Sequence, residues 1–360
     1  MRKNRKVTES AEKTATMRDI ALSANVSIGT VSHVVNASAG VRPELVRRVK
    51  KAMQDLGYQP SQLARSLRRN QTDMLGMIVP DITNPFFPVV VRGVEDAAYR
   101  EGYRLVLCNA DNDPAKEEAY LSDLLSYRMA GLIVIPSVDS RIVSIVDENR
   151  CGNRVVCVDR APVDWAGDSV TVNNEEGAYQ VVRYVIGMGH RCIGTITGPL
   201  HVSNAIERLA GYRRALSEAG LELSPEYVQE GRFERQSGYQ KTQTLLRLLP
   251  RPTAIFASND LIALGILGAL SDAGLSCPDD VSVVGFDDLE VSSFTNPPLT
   301  TVTQPAYQLG ASAVTVLLNR MNGSAADRQQ IRLQAKLRVR DSVRGIERAR
   351  SKKVRALARV

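Results

Sequence analysis

From about residue 74 to residue 340, short apolar runs alternate with longer stretches in which apolar positions recur every three or four residues. The runs fall at 75–79, 105–108, 132–135, 155–158, 193–197, 254–257 and 281–286. Between them, the spacing predicts helices over roughly 85–101, 115–128, 174–188, 204–219, 236–248 and 260–273. Strand–helix alternation on this scale is the pattern of parallel, doubly wound α/β sheets. About 270 residues is long for one such sheet, so two α/β subdomains are expected.

The first 60 residues carry a different pattern. Thr16 followed by Asp19 marks a helix start, with a hydroxyl to cap free N–H groups and an acid at the positive end of the dipole. Ile20, Ala21 and Ala24 give that helix its apolar face, and Asn25 ends it. Ser27 can cap a second helix through Val31, Val34 and Val35. A third starts at Pro43, suited to a first helical position, and stops at Gly57. Arg42 precedes it where a capping hydroxyl would be stronger. The chain therefore divides into a basic extension (1–15), a three-helix unit (16–60), a linker with helix potential (61–72), the α/β body (73–340) and a basic tail (341–360).

Charge sharpens this division. The net charge of +7 hides an uneven distribution. Residues 1–70 hold 14 Lys/Arg against 5 Asp/Glu, or +9; the body is −7 and the tail +5. A basic head on an acidic body directs attention to a polyanionic partner at the head. No apolar run approaches the ~20 residues of a membrane span. The basic N-terminus leads into a polar stretch rather than a signal sequence, which points to a cytoplasmic protein. None of the five cysteines has C-x-x-C spacing, so they are expected as unpaired thiols with no zinc site.

Thr16 through Asn36 has the layout of a helix-turn-helix: Ala21 is small where two helices cross, Val26 plugs the turn, and Val31 and Val34 anchor the second helix. At this point the chain strongly resembles the lactose-repressor family of bacterial transcription regulators. The resemblance continues through Pro43, Gly57-Tyr58, Ala64-Arg65-Ser66-Leu67, Asn84-Pro85-Phe86-Phe87, Asp159-Arg160, Glu207-Arg208, Ser258-Asn259-Asp260, Gly285-Phe286-Asp287-Asp288 and Pro298 to Val302. It implies an all-α helix-turn-helix head plus a two-lobed, periplasmic-binding-protein-like α/β effector domain, acting as a homodimer on a palindromic operator. Larger oligomers remain compatible with the sequence, although the tail lacks a sustained heptad. By the same resemblance, Ile28, Gly29 and His33 face the bases. Thr30, Ser32 and Asn36 hold phosphates, and Thr16, Ser27 and Tyr58 complete the DNA-facing set. His33 stands where many relatives carry arginine and cannot copy its bidentate guanine contact. Ala64, Arg65 and Leu67 belong to a segment that becomes helical on operator DNA, with the leucine wedged into the minor groove. The alternative for Leu67 is a plain linker residue packed on the body.

For the body, the resemblance implies an effector between the lobes. Arg208 and Asp287 lead, since a guanidinium donates fixed hydrogen bonds and a carboxylate accepts from vicinal hydroxyls, as a sugar requires. Asn259 and Asp260 sit at a strand-to-helix junction, the binding edge of such sheets. Phe86 and Phe233 can lie on the apolar face of a ring, and Asn84, Phe87, Asp159, Arg160 and Asn204 complete the set. Each has a structural alternative: Arg208 and Asp287 as an ion pair across the subdomain interface, Phe87 as core, Asp159-Arg160 as a local pair, Asp288 as a cap. Trp165, among Pro162, Asp164 and Gly167, is expected in an exposed loop.

These features predict a regulator, read as a repressor, whose operator affinity answers to a sugar or sugar phosphate, with no cofactor. A purine-responsive regulator is the second reading, and a plain solute-binding protein is disfavoured by the DNA-binding head. No phosphate-cradling glycine motif, nucleophile elbow or zinc motif is present, so no enzyme activity is expected. The +9 head predicts steep salt dependence. Operator affinity measured between 50 and 200 mM salt should fall by about 10³-fold or more; a flat response would show that phosphate contacts do not dominate.

Overall fold

The computed structural model describes residues 15–35, 40–58, 72–222, 224–323 and 327–346, which form two compact units divided after Thr72. The first unit holds α1 (Met17–Ala24), α2 (Ile28–Val35) and α3 (Pro43–Asp55). Thr16 and Asp19 form a reciprocal capping box at the start of α1, and Asn25 ends that helix at φ 49°. Thr30 N donates to Ser27 Oγ at 3.1 Å, so Ser27 caps α2. α3 begins without a side-chain cap on Arg42. Ile20, Ala21, Ala24, Val31, Val49 and Ala52 form the small core. Arg48 braces the turn from α3, donating from Nη2 to Ala24 O (2.6 Å) and Asn25 O (3.0 Å), the carbonyls that end α1.

The second unit runs β1 (Met74–Val79), α4 (Phe86–Arg100), β2 (Arg104–Asn109), α5 (Pro114–Ser126), β3 (Gly131–Val134), α6 (Ile142–Glu148), β4 (Val155–Asp159) and β5 (Asp168–Val172). It continues through α7 (Asn174–Gly187), β6 (Ile193–Thr197), α8 (Ser203–Glu218), β7 (Val228–Glu230), α9 (Arg235–Leu245), β8 (Ala254–Ala257), α10 (Asp260–Asp272) and β9 (Ser282–Val284). It closes with β10 (Thr301–Thr303), α11 (Ala306–Met321), β11 (Gln330–Leu333) and β12 (Lys336–Arg338). A six-stranded parallel sheet has the order β11-β5-β4-β3-β1-β2, and a four-stranded parallel sheet the order β7-β6-β8-β9. These are the two expected lobes. The chain crosses between them after β5, between β10 and α11, and between β11 and β12.

All seven apolar runs contain strands, but the six-stranded sheet has two members that no such run announces. β5 reads Asp-Ser-Val-Thr-Val and β11 Gln-Ile-Arg-Leu, and they pair with each other from Ser169–Gln330 to Val172–Leu333. Burying Asp168 at the head of β5 requires a cation, and Arg320 of α11 supplies it with Nε and Nη2 at 2.9 and 2.8 Å. Trp165 is not in an exposed loop. It is 7% exposed, its Nε1–H donates to Asp168 O (2.9 Å), and its ring packs with Leu132, Val155 and Cys157 in the core. Nor does the body stop at residue 340. Ser342 is fully buried, its Oγ takes a hydrogen bond from Thr300 N (2.8 Å) and donates to Val283 O (2.5 Å), and Ile346 N reaches Met188 O. The expected extension 1–15, save its last residue, the linker 61–72, save Thr72, and the tail from 347 lie outside the described residues. All five cysteines are free, with Cys151 and Cys157 buried.

Three helix pairs approach closely through glycine. A Cβ on Gly93 of α4 would lie 2.1 Å from Tyr307 O, and one on Gly310 of α11 would lie 2.1 Å from Val90 O. Gly238 and Gly265 stand in the same reciprocal relation between α9 and α10, and Gly211 of α8 faces Glu175 O of α7 at 2.2 Å. Backbone cannot yield as a flexible side chain would, so an added methyl must part the helices. Gly310→Ala is expected to lower stability by about 1–3 kcal/mol, read as a shifted urea midpoint with an unchanged slope. A wild-type midpoint would contradict the close approach.

Candidate functional site

The carboxyl ends of β1, β2, β4, β6, β8 and β9 converge between the lobes, where parallel strands leave loops and helix N-termini free to carry side chains. A cavity of about 50 Å³ lies there. It is lined by ten of the eleven expected residues: Asn84, Phe86, Phe87, Asp159, Arg160, Asn204, Arg208, Phe233, Asn259 and Asp287. Asp81, Asn112 and Gln304 complete the lining.

Each is set in place by local backbone. Asn84 Oδ1 accepts from Phe86 N (3.1 Å), turning the chain into α4 and bringing Phe86 and Phe87 to the cavity in an edge-to-face pair, ring centroids 5.4 Å apart. Phe87 is thus both core and cavity wall. Asn259 caps α10 through Ile262 N (2.9 Å). Asp159 and Asp287 adopt φ of 66° and 118°, conformations that non-glycine residues rarely hold and that the surrounding packing must enforce.

Arg208 organises the rear wall. Its Nε donates to Asn174 Oδ1 (2.9 Å) and its Nη1 to Ser258 O (2.7 Å), while the guanidinium lies 3.9 Å from the centroid of the Phe286 ring. Asp287 Oδ1 stands 3.6 Å from Nη1, longer than a charge-assisted hydrogen bond, and accepts instead from Gln304 Nε2 at 2.6 Å. The pair is in contact without being saturated. Across the cleft, Asn204 of α8 donates from Nδ2 to Asp159 Oδ2 at the end of β4 (3.3 Å).

Burial pushes the Asp159 carboxyl up, with Arg160 and Arg208 pulling against it. Burial likewise lowers Arg160 and Arg208, which Asp159 and Asp287 oppose respectively. Asp287 is driven well above the usual carboxylate range by burial, against the pull of Arg208. Two acids and two guanidinia thus hold each other in place in a site shielded from water. Asn204 Oδ1 and Gln304 Oε1 are buried in it without a hydrogen-bond partner.

Asp260 does not line the cavity. It is fully buried behind it, where its carboxyl accepts from Leu289 N (2.9 Å), Ser292 Oγ (2.6 Å) and Thr301 Oγ1 (2.5 Å). It ties the loop after Asp287 to α10, so its role is to hold Asp287 in place. The three additional lining residues share a legible signal: Asp81 and Asn112 follow β1 and β2, and Gln304 follows β10, all polar positions just past a strand.

On the head, Ile28, Gly29 and His33 are exposed along α2, and Thr30 and Ser32 are half-buried beside them. Thr16 and Ser27 are engaged as caps, and Tyr58 packs against the small core. Asn36, Ala64, Arg65 and Leu67 lie outside the described residues. Among the described residues no cluster of metal-ligating side chains occurs, and no helix is long and apolar enough to cross a membrane.

A helix-turn-helix unit followed by a two-lobed body with a polar interlobe cavity defines an effector-controlled DNA-binding regulator. Comparison with known proteins agrees. The model of bacterial regulatory proteins of the lacI family matches residues 16–61, and that of the periplasmic binding protein-like domain matches 182–343. The chain is 38% identical over 330 residues to the HTH-type transcriptional repressor PurR of Pasteurella multocida (strain Pm70), covering 92% of this chain and 99% of that one. It is 39% identical over 328 residues to the ribose operon repressor of Escherichia coli (strain K12), covering 91% and 99%. Among solved structures, the lac repressor dimer bound to operator and the anti-inducer ONPF superposes with a TM-score of 0.81 at 30% identity over 92% of this chain and all of that one. A LacI-family regulator from Enterococcus faecium with bound ribose gives 0.68 at 30% identity over 76% and 99%. The chain belongs to the lacI family of bacterial regulatory proteins. It is a DNA-binding transcriptional regulator under small-molecule control, and the relatives named here are repressors rather than enzymes.

The burial of Asp260 has a measurable consequence. Burial raises its pKa to about 6 from 3.8, against the three hydrogen bonds it accepts. Below pH 3.8 the acid is neutral in both folded and unfolded chains, and the stability tied to it is fully present. That contribution is lost as pH rises through about 6 and the buried group ionises. Asp260→Asn should therefore flatten the dependence of stability on pH between about 4 and 6, measured by denaturant unfolding. An unaltered slope would place the titration elsewhere.

Proposed function

We propose that the chain is an operator-binding repressor, acting as a homodimer, whose effector is a monosaccharide held between the lobes. The observation that carries this reading is the alternation of charge in one interlobe cavity: Asp159 and Asp287 interleaved with Arg160 and Arg208, flanked by phenylalanine rings. Each hydroxyl of a sugar both donates and accepts, so vicinal hydroxyls can bridge acid to guanidinium in sequence. The C–H face of the ring then rests on Phe86 or Phe233. A purine, whose ring presents fixed N–H donors and N and O acceptors, can also meet an acid and a guanidinium, and the PurR relatives make it the second reading. The ribose operon repressor among the relatives and the ribose-bound structural neighbour support ribose as the first sugar to test.

A cavity of about 50 Å³ is well below the ~300 Å³ at the lower end of ligand sites. Ligand entry therefore requires the lobes to part, and the Asn204–Asp159 bond is among the contacts that must break. A ligand that replaces those contacts changes the balance between lobe arrangements, and through it operator affinity, by as much as it prefers one arrangement over the other. On the DNA side, Ile28, Gly29 and His33 are assigned to base edges. Thr30, Ser32 and Asn36 are assigned to phosphates, with Thr16, Ser27 and Tyr58 supporting them, and Ala64, Arg65 and Leu67 to the minor groove.

Operator affinity measured with and without D-ribose, D-glucose, hypoxanthine and guanine tests the assignment. A sugar should shift it by about fivefold or more, the range of ordinary allosteric coupling, and the purines should leave it unchanged. Phe233→Ala, which removes a half-buried ring from the cavity wall, should weaken the shift while leaving effector-free operator binding intact. A response to the purines alone would overturn the sugar reading.

A further inference from the structure

The far end of the four-stranded lobe, away from the cleft, carries a groove of about 560 Å³. It is built where strands begin rather than where they end: Ile193 opens β6, Tyr227 precedes β7, Pro250 lies ahead of β8, and Tyr212 and Leu216 come from α8. We infer that this groove is the docking site for the basic segment 347–360 of the same chain, which follows Ile346, the last described residue.

The course of the chain leads there. Ser342 lies against β9, where its carbonyl accepts from Val283 N (2.9 Å). Arg344 N donates to Ser282 Oγ (3.1 Å), and Arg344 O accepts from His190 Nε2 (3.0 Å), whose Nδ1 lies 2.9 Å from Thr253 Oγ1 just ahead of β8. Ile346 N then donates to Met188 O (3.0 Å), between α7 and β6. From Ser342 to Ile346 the backbone thus crosses the strand starts from β9 past β8 to β6. One strand further, in the order β7-β6-β8-β9, is the groove. The fourteen residues after Ile346 can span at most about 45 Å, whereas passing one more strand takes about 5 Å.

Charge and apolar content both match. Residues 347–360 carry six Lys/Arg against one Glu. The groove presents the exposed acids Glu222 and Glu226 against one cation, Arg191, whose Nη1 is already spent on the Ile186 and His190 carbonyls (2.9 and 3.0 Å). At its rim Leu249 is 93% exposed, with Tyr212 and Leu216 buried behind. Val354, Leu357 and Val360 recur at every third position among the cations and can cover such surface. A nucleic acid would satisfy the cations alone; the groove answers the cations and the apolar residues together.

The groove is formed before anything enters it. Tyr227 Oη donates to Pro250 O (2.5 Å) and Cys192 Sγ to the same carbonyl (3.6 Å), which ties the starts of β6 and β7 to the turn ahead of β8. Tyr212 Oη donates to Ile193 O (2.7 Å) behind them. Binding then has only the segment's own ordering to offset. Attachment at Ile346 makes the encounter intramolecular, with an effective concentration of about millimolar, so the chain's own segment outcompetes a free copy of it.

A chain ending at Ile346 keeps every described contact of the body and opens the groove. In calorimetric titration, a synthetic peptide of residues 347–360 should bind this shortened chain at least about tenfold tighter than the full chain. Glu222→Lys and Leu249→Asp, both at exposed side chains, should each weaken peptide binding by about fivefold or more. Carbodiimide, which joins amines to carboxylates, should link Lys352 or Lys353 to Glu222 or Glu226 within a single full-length chain. Operator affinity should stay within about twofold when the segment is removed. A peptide that binds neither chain, or both equally, would overturn the inference, as would binding that neither substitution weakens. So would links formed only between two copies, or a loss of operator affinity of about tenfold on truncation, which would assign the segment to DNA.

Discussion

The body is organised around a buried positive charge that cannot be left alone. Arg208 lies fully inside the protein, and removing a guanidinium from water costs several kcal/mol unless its donors are satisfied and its charge is met. The structure answers with contacts from different parts of the chain: Asn174 on α7, Ser258 at the end of β8, Asp287 after β9, and the Phe286 ring beneath. Each tethers a segment that forms part of the cleft. The acids drawn in to balance the charge are then buried themselves, and Asp260 and Gln304 are needed behind and beside Asp287 to position it. One desolvated cation thus fixes where several strand ends must meet.

Close helix packing gives that arrangement rigid supports. The glycine contacts between α4 and α11, α7 and α8, and α9 and α10 bring backbones within reach of one another on both lobes. Rigid lobes joined by three crossing segments leave relative lobe movement as the soft coordinate. The hydrogen bond from Asn204 to Asp159 and the His201–Asp139 pair span that coordinate. A ligand in the cleft competes with or completes such contacts, which is how binding energy becomes a conformational preference.

Much of this was legible from residue pattern, and the exceptions have identifiable causes. The seven apolar runs locate strands because central parallel strands are buried on both faces and cannot alternate with polar residues. β5 and β11 escaped because polar residues interrupt them: only Val170 and Val172 of β5 enter the core, Ile331 and Leu333 of β11 pack against it, and Arg320 meets the buried Asp168. Trp165 was misplaced because its turn-rich neighbours describe the backbone, while its ring is held by core side chains and by the Asp168 carbonyl. The Ser258-Asn259-Asp260 segment marked the right strand end. Only the geometry separates Asn259, which lines the cavity, from Asp260, one residue on, which turns away to bind the loop after Asp287.

By itself the sequence determined the division into a basic helical head and an acidic two-lobed body, the family, and ten of the thirteen residues lining the inner cavity. The division follows from periodicity, capping chemistry and charge, which are local properties of the chain, while the family and the cavity residues follow from the motifs that carry the resemblance. The tertiary structure alone decided that Asp260 supports the cavity rather than lines it, and that Trp165 faces the core rather than solvent. Those are questions of which side of a wall an atom occupies, and they depend on contacts between residues far apart in the chain, which no local pattern encodes.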